Sequence, residues 1–392
     1  MPLHHKLAQL NPIVTFLGFL DTPLLIPILA LYATSLGSDI VTVGIIIGAY
    51  SITNTITNIL GGRWVDKVGY KAPLITGLCG DAIAMVAYAL CQVPWHLVLV
   101  RAFHGLSGGL VGPATMAFTA HHASPTEKGK AMSIYGVAIA TGTLIGFGVG
   151  GTVASRLGYH LLFYIGSALL VLGVLLACLM PQDRATVQQE RPTHRNLGDM
   201  LQLATTGKRP VSYLSIFAQY FSFGGVVALL PLSMATLGME AFHVGMVLAI
   251  FSLMFIIVQS FSGRISDRAG RLKPIAIALA LGVMALIAMP LAGNFPALTA
   301  VMIVYGIAYG ILFPAASALL IDHVTPEEYG ITTGLFHALI TIGVAVGAPL
   351  IGWIAQFTGL RVGLALAGSI FLAALALTLT HLRKERSCNV AS

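Results

Sequence analysis

Hydrophobic residues in this chain are grouped into twelve long runs, separated by short segments that contain glycine, proline or charged residues. A helix crosses the hydrocarbon layer with about 20 apolar residues, and only a helix or a closed barrel satisfies its backbone polar groups there. The pattern predicts an all-α integral membrane protein with twelve transmembrane helices, numbered as spans 1 to 12. The spans cover residues 11–35, 42–61, 72–92, 96–119, 131–154, 160–180, 211–235, 243–262, 274–292, 297–320, 331–355 and 361–382.

The composition indicates that lipid is the main solvent. Hydrophobic residues make up 57% of the chain, charged residues make up 9%, and the mean hydropathy is +0.88. Soluble domains carry about 25% charged residues, so a soluble fold of this length lacks the charge to cover its surface. The first run is longer than the apolar core of a secretory signal and contains Asp21. We therefore expect it to be a span.

A fixed offset reveals an internal duplication. Shifting the sequence by 201 residues superposes eleven glycines on glycines, among them Gly62 on Gly263 and Gly146 on Gly347. The offset covers six spans, an even number, so both copies begin on the same side of the membrane. The halves are therefore predicted to be parallel repeats.

The most polar stretch of the chain, residues 181–210, separates the two copies. It predicts a cytoplasmic linker between two six-helix domains. The N-terminal half is assigned to residues 1–180, and the C-terminal half, with a short cytoplasmic tail, to residues 211–392.

Basic residues indicate the orientation. Of the 21 lysines and arginines, 18 lie in the N-terminus, the even-numbered loops and the C-terminal tail, whereas Arg156 and Arg361 lie in odd-numbered loops and Arg101 lies inside span 4. By the positive-inside rule, both termini are cytoplasmic. The net charge of +7 is then a topology signal, and nucleic-acid binding is not expected.

One sequence pattern lies between spans 2 and 3 and is repeated between spans 8 and 9. The two copies contain Gly62, Asp66, Lys67, Gly69 and Lys71, and Gly263, Asp267, Arg268, Gly270 and Arg271. The glycines allow a tight turn, and Asp66 is expected to cap a helix N-terminus or to pair with a nearby arginine. A role in topology and turn formation alone is the alternative.

This pattern resembles the G-x-x-x-D-[RK]-x-G-[RK]-[RK] signature of the major facilitator superfamily, and the resemblance covers nearly the whole chain. It implies the superfamily's twelve-helix fold. It also implies that the Asp66 loop braces one half against the other in the outward-open state.

Three further patterns extend the resemblance, and two of them indicate a branch of that family. The RAFHG sequence at residues 101–105 is similar to its R-x-x-x-G element, and residues 27–37 of span 1 resemble drug:proton antiporters. Span 5 resembles the antiporter pattern G-x-x-x-G-P-x-x-G-G, with Phe147 at the proline position. Its glycines are Gly142, Gly146, Gly150 and Gly151. Small residues four apart also predict a helix-packing seam.

Three charged residues lie well inside predicted spans: Asp21, Asp81 and Arg101. Such groups are costly in lipid and are functional candidates by default. The resemblance implies that helices 1, 4, 7 and 10 line the cavity, which ranks Asp21 and Arg101 above Asp81. We expect Asp21 to bind a proton or cation, with a structural pair to Arg101 or to backbone donors as the alternative.

The remaining cavity candidates are polar residues inside spans. His104 lies one helical turn beyond Arg101 and could hydrogen-bond a ligand. The other candidates are Asn54, Asn58, Gln219, Tyr220, Gln259, Tyr305 and Tyr309. Each could equally hold neighbouring helices together. The sparse charge predicts lipophilic or weakly polar solutes.

The leading hypothesis is a secondary transporter of the cell membrane that exchanges protons for small lipophilic or amphiphilic compounds by alternating access. The alternative is a proton-coupled importer of a small nutrient such as an organic acid or a sugar. An enzyme is not indicated, because no P-loop, GxSxG or HExxH motif occurs, and a non-transporting receptor or scaffold is a third class. No cofactor and no metal are expected. The expected partners are a small-molecule substrate, protons and the lipid bilayer, and the chain is expected to act as a monomer.

Overall fold

The structure is a computed structural model that describes residues 10–122, 128–181, 205–322 and 329–391. Within these residues, twelve helices are long and apolar enough to cross a membrane, which confirms the predicted number. Most of the predicted linker, residues 182–204, lies outside the described residues. We number the helices α1 to α12, so that each number matches that of the predicted span.

Most of the helices are continuous, whereas α1 and α12 each consist of two segments. The helices are α1 (Asn11–Gly18 and Asp21–Ser35), α2 (Ile40–Val68), α3 (Lys71–Ala89), α4 (Pro94–His122), α5 (Lys128–Leu157), α6 (Tyr159–Leu179), α7 (Arg209–Thr236), α8 (Ala241–Ala269), α9 (Leu272–Ala288), α10 (Phe295–Ile321), α11 (Tyr329–Thr358) and α12 (Leu360–Leu366 and Ser369–Ala391).

The contacts group the chain into two compact units. The first comprises Met1–Glu190 together with Met234–Ala249, and the second comprises Arg191–Ser233 together with Ile250–Ser392. In the first unit α2 packs on α4, α3 packs on α4 and α6, and α1 packs on α5. In the second unit α9 packs on α10 and α12.

The break in α1 lies just before Pro23, whereas Pro27 in the same helix and Pro231 in α7 interrupt neither helix. Proline has no backbone N–H, so the Phe19 carbonyl loses its partner four residues along the helix. Phe19 and Leu20 form a turn, and the second segment begins at Asp21. At the equivalent position of α7 the chain has Gly224, which keeps its N–H, and α7 runs without a break.

Glycines allow α5 to lie directly against the broken helix α1. A Cβ at Gly146 would be 2.5 Å from the Pro23 Cβ, and a Cβ at Gly150 would be 2.2 Å from the Leu24 carbonyl oxygen. In the second unit, Gly347 of α11 lies equally close to the backbone of α7 at Phe221. The glycine pattern of span 5 is therefore a packing seam, and the duplication repeats it.

A second glycine seam joins α2 to α4. A Cβ at Gly105 would be 2.4 Å from the Tyr50 carbonyl oxygen, and one at Gly109 would be 2.8 Å from the Asn54 carbonyl oxygen. The equivalent glycines of α10, Gly306 and Gly310, face α8 in the same way. Since both halves share these glycines, they belong to the common scaffold.

Asp39 caps the first turn of α2. Its carboxylate accepts a hydrogen bond from the Thr42 backbone N–H at 2.9 Å. Hydrogen bonding by Thr42 lowers the pKa of Asp39. Because the folded-state pKa is the lower one, the cap stabilises the protein at neutral pH and is lost as the pH falls through the folded-state pKa.

The seam between α1 and α5 predicts a clear effect of one methyl group. In Gly150→Ala the added group collides with the Leu24 carbonyl, and overpacking of this kind costs about 1–3 kcal/mol. Thermal unfolding in detergent should show a lower transition temperature. Gly148→Ala is the control, since its methyl group would meet only the Ala249 Cβ, at 3.8 Å. Equal transition temperatures for the two variants would contradict the seam.

Candidate functional site

The three charged residues inside the spans come together in the first unit, and His104 lies among them. α1 supplies Asp21, α3 supplies Asp81, and α4 supplies Arg101 and His104. Their exposed fractions are 4%, 0%, 2% and 0% respectively. We call these four residues the buried charge cluster.

His104 lies between Asp21 and Arg101. Its Nε2 is 2.7 Å from Asp21 Oδ2, and its Nδ1 is 3.5 Å from Arg101 Nη1. The Tyr88 hydroxyl is 3.1 Å from the same Nδ1. Sequence reasoning left open whether Asp21 pairs with Arg101; the structure places the imidazole between them.

Two tyrosines hold the Arg101 guanidinium. Its Cζ lies 4.4 Å above the centre of the Tyr50 ring, a cation–π contact, and Nη1 is 3.5 Å from the Tyr88 hydroxyl. Tyr50 also contacts His104 edge to face, with 5.2 Å between ring centres. Tyr88 is fully buried and Tyr50 is partly exposed.

Asp81 lies on the other side of His104. Its Oδ1 is 3.7 Å from His104 Nε2 and hydrogen-bonds with Ser107 Oγ at 2.5 Å. Its Oδ2 is buried and has no hydrogen-bond partner in the described part of the chain. Asp81 therefore pairs locally within the N-terminal half, inside the cluster.

Local backbone features make room for these side chains. The break in α1 places Asp21 in the first turn of a helix, where the Thr22 N–H donates to its Oδ1 at 2.5 Å. Gly108 leaves space beside Asp81, because a Cβ there would be 3.5 Å from Asp81 Oδ1 and 2.9 Å from the Tyr50 hydroxyl. Gly80 likewise allows α3 to approach Ser107, since its Cβ would be 2.4 Å from the Ser107 Cβ.

The cluster also has the residue types of a metal site. One ligand atom from each of Asp21, Asp81 and His104 lies within 4.8 Å of the others. His104 Nε2 is already hydrogen-bonded to Asp21, however, and the Arg101 guanidinium faces the opposite edge of the same ring. A metal ion could bind at Nε2 only if this hydrogen bond were broken.

The cluster belongs to one half of the duplication only. At the positions 201 residues further on, Asp21, Asp81, Arg101 and His104 are replaced by Ser222, Gly282, Met302 and Tyr305. The scaffold glycines are retained in both halves, whereas these ionisable groups are not. This difference marks the cluster as a specialised part of the fold.

The C-terminal candidates form a separate, uncharged group in the second unit. The Tyr309 hydroxyl donates to the Gln219 carbonyl oxygen, and the ring centres of Tyr305 and Tyr309 are 4.9 Å apart. Tyr220, Phe223 and Phe251 complete an aromatic cluster around Tyr309. The Gln219 side chain is fully buried, and its amide atoms have no hydrogen-bond partner among the described residues.

The structure places the other polar candidates outside these two groups. Asn54 is partly exposed on α2, where its Nδ2 is 3.4 Å from the Tyr50 hydroxyl, and Asn58 is exposed one turn further on. Gln259 is half-buried on α8 next to Gly310. Of these three, Asn54 reaches closest to the buried charge cluster.

The loop pattern belongs largely to the helix ends. α2 and α8 continue past the predicted limits to Val68 and Ala269, and Gly69 and Gly270 end them with φ of 86° and 78°. Asp66 is exposed in the last turn of α2. The expectation that it caps a helix is wrong for α3, because that helix begins at Lys71 without a side-chain cap.

The basic residues of the pattern hold helix ends. Lys71 Nζ donates to the Cys178 and Met180 carbonyl oxygens at 2.6 and 2.8 Å, which satisfies the C-terminus of α6. Arg271 Nε donates to Asp322 at 2.8 Å and its Nη1 bonds Asp267, so both carboxylates raise the pKa of Arg271. The remaining residues of the pattern lie in the last two turns of α2 (Gly62 and Lys67) and of α8 (Gly263 and Arg268).

The two other glycines of the span 5 pattern also make close contacts. Gly142 packs on Phe16, and Gly151 faces Ala241 and Gly245 of the same unit.

Sequence reasoning missed three residues that contact the cluster: Tyr50, Tyr88 and Ser107. A single tyrosine or serine in a span has the same appearance whether it holds helices together or contacts a charge. The duplication contains a signal that could have found them. Their equivalents are Phe251, Met289 and Ala308, so each is polar only in the half that carries the charges.

Comparisons with known proteins identify the family. The Major Facilitator Superfamily model matches residues 13–212 and again 212–391. The chain therefore belongs to the major facilitator superfamily. The two consecutive matches cover nearly the whole chain, and they make it a multi-pass membrane transport protein with a small-molecule substrate, and not an enzyme.

Relatives support the resemblance to the drug:proton antiporter branch. The chain is 23% identical to multidrug resistance protein 2 of Bacillus subtilis, with 94% of each chain covered. It is 27% identical to multidrug resistance protein MdtG of Escherichia coli, over 87% of this chain and 86% of that protein. It is also 25% identical to the staphyloferrin B transporter of Staphylococcus aureus, over 85% of this chain and 82% of that protein.

Solved structures share the fold. The nucleoside transporter NupG has a TM-score of 0.81 and 16% identity, covering 96% of this chain and 99% of that chain. A bacterial homologue of the human lysosomal transporter Spinster has a TM-score of 0.82 and 14% identity, covering 98% and 97%. At these identities the likeness establishes the fold and does not indicate the substrate.

The charge balance of the cluster predicts a coupling between Arg101 and Asp21. Arg101→Met removes the only fixed positive charge of the cluster, and leaving buried carboxylates without it should cost about 3 kcal/mol or more. Adding Asp21→Ser gives this pair the residues found at the equivalent C-terminal positions. We expect the double variant to recover a large part of the loss in thermal stability in detergent. Strictly additive losses would mean that the two residues do not interact energetically.

Proposed function

We propose that this protein exports small lipophilic or amphiphilic compounds in exchange for protons, by alternating access about a site in the membrane. The observation that carries this proposal is the buried charge cluster. A membrane-embedded group that gains and loses a proton is the component that a proton-coupled transporter requires.

The charge of the cluster favours proton binding. With both carboxylates ionised and His104 neutral, the cluster has one negative charge more than Arg101 compensates. An uncompensated charge is costly in a low-dielectric interior, and one proton removes it. When the transport cycle hydrates the cluster, water stabilises the ionised form and the proton can leave.

The second unit supports a lipophilic substrate. Its candidate residues form the uncharged aromatic cluster around Tyr309, with the Gln219 amide as a buried hydrogen-bonding group. Aromatic faces bind apolar and cationic compounds alike. Two relatives are named as multidrug resistance proteins, which agrees with efflux. We further propose that the protein is a monomer of the cell membrane with both termini in the cytoplasm, as the distribution of basic residues indicates.

Removal of the Asp21 charge should uncouple transport. In proteoliposomes with an imposed pH gradient and an internal pH-sensitive dye, the lipophilic cation tetraphenylphosphonium should dissipate the gradient across wild-type membranes. Asp21→Asn should abolish this substrate-driven proton flux, because Arg101 then compensates the one remaining carboxylate of the cluster and no proton is needed for neutrality. Asp39→Asn is the control, since Asp39 is an exposed carboxylate and asparagine retains the helix cap.

Unchanged proton flux in Asp21→Asn would contradict the proposed coupling. The same assay separates export from import. Dissipation by a sugar or an organic acid that enters together with protons would instead establish the importer.

We also propose that the end of α2 with Asp66 braces the two halves, as the family resemblance implies. Asp66→Asn should slow transport while the amount of protein in the membrane stays at the wild-type level. Asp267→Asn, in the second copy of the pattern, provides the matched comparison, because its carboxylate is bound by Arg271 within the second unit. Wild-type transport rates in Asp66→Asn would remove the bracing role.

A further inference from the structure

The two carboxylates of the buried charge cluster receive different numbers of hydrogen bonds. Both oxygens of Asp21 have a donor, since Oδ1 accepts from the Thr22 N–H at 2.5 Å and Oδ2 lies 2.7 Å from His104 Nε2. Asp21 also occupies the first turn of a helix, where the helix dipole stabilises a negative charge. These contacts suit an ionised carboxylate.

Asp81 lacks comparable support. It is fully buried, and its Oδ2 has no hydrogen-bond partner among the described residues. Within the described part of the chain, the only direct hydrogen bond of its Oδ1 is with Ser107 Oγ. A carboxylate charge in this position would be poorly solvated.

The surroundings of Ser107 show which form of Asp81 satisfies the local hydrogen bonds. Ser107 Oγ lies 2.5 Å from Asp81 Oδ1, 3.1 Å from the His104 carbonyl oxygen and 3.3 Å from the Phe103 carbonyl oxygen. The hydroxyl has a single proton, and the carbonyls can only accept. If Asp81 is protonated, its O–H donates to Ser107 Oγ and the serine proton remains available for a carbonyl, so both contacts are satisfied at once.

His104 is unsuited to hold the extra proton. Its Nδ1 faces the Tyr88 hydroxyl at 3.1 Å and Arg101 Nη1 at 3.5 Å. The guanidinium can only donate, so Nδ1 acts as an acceptor and Nε2 carries the hydrogen that is donated to Asp21. His104 is therefore a neutral imidazole, and the adjacent positive charge of Arg101 disfavours a positive charge on the His104 ring.

We propose that the transported proton resides on Asp81 of α3, with Asp21 and Arg101 as the permanent charge pair and His104 as the neutral bridge between the two carboxylates. The groups around Asp81 are Asp21 from α1, Tyr50 from α2, and His104 and Ser107 from α4. Tyr88 and Arg101 lie at the opposite edge of the His104 ring. The assignment deepens the proposed function. The statement that this proton is transported rests on that function. The location of the proton stands on geometry alone.

Release involves one bond. The Asp81 O–H bond breaks, the proton passes to water in the conformation that hydrates the cluster, and Asp81 remains as a carboxylate. The cluster then has an excess negative charge, which attracts a cationic substrate. Reprotonation of Asp81 removes that attraction, so proton and substrate compete.

Infrared spectroscopy of the full-length protein in lipid nanodiscs tests the assignment. Wild-type protein at neutral pH should show the C=O stretching band of a protonated carboxyl group shielded from exchange. Ser107→Ala should shift this band, because it changes a hydrogen bond of Asp81 and no charge. Alanine is the residue at the equivalent position in α10, Ala308, so it is compatible with this helix packing. Asp81→Asn should abolish the band, whereas Asp39→Asn should leave it unchanged.

Absence of the wild-type band, or a band that Ser107→Ala does not move, would overturn the assignment to Asp81. The proteoliposome assay keeps this failure separate from failure of the proposed function. If wild-type protein moves protons and Asp81→Asn moves them equally, the inference fails while antiport stands. If the band behaves as expected but wild-type protein moves no protons with any substrate, Asp81 is protonated and the proposed function fails.

Discussion

In a lipid environment the backbone has to satisfy its own hydrogen bonds, and this constraint shapes every part of the structure. It accounts for the twelve long helices of the described residues, and it makes a break inside one of them informative. Pro23 removes one hydrogen bond from α1, and the new helix that begins at Asp21 gives that carboxylate a backbone donor at membrane depth. The break in α1 is therefore part of the structure of the buried charge cluster.

The duplication separates scaffold from function. Both halves retain the glycines at which α4 meets α2 and α10 meets α8, because a side chain there would collide with a neighbouring backbone. The charged residues and the histidine of the cluster are replaced by Ser222, Gly282, Met302 and Tyr305 in the second half. That half has the aromatic cluster around Tyr309 instead. A fold made of two copies of one scaffold has thus acquired two chemically different interiors.

Part of the site could be predicted from the sequence. Asp21, Arg101 and His104 were identified because charge and imidazole are rare in apolar spans. The family resemblance ranks Asp81 lower, because it implies that helix 3 lies outside the cavity. The structure places it 3.7 Å from His104. Tyr50, Tyr88 and Ser107 were missed, because their importance depends on which helix they face, and a single polar residue does not reveal this.

The sequence by itself determined the number of helices, the duplication and the residues that are too polar for lipid. These properties follow from local composition, since each span must be apolar over its own length. Only the tertiary structure decided that Asp21 contacts His104 and not Arg101 directly, that Asp81 joins them, and that Lys71 and Arg271 hold helix ends. Such contacts depend on the rotation and spacing of neighbouring helices. The glycine seams allow the close approach of those helices, and no single span encodes it.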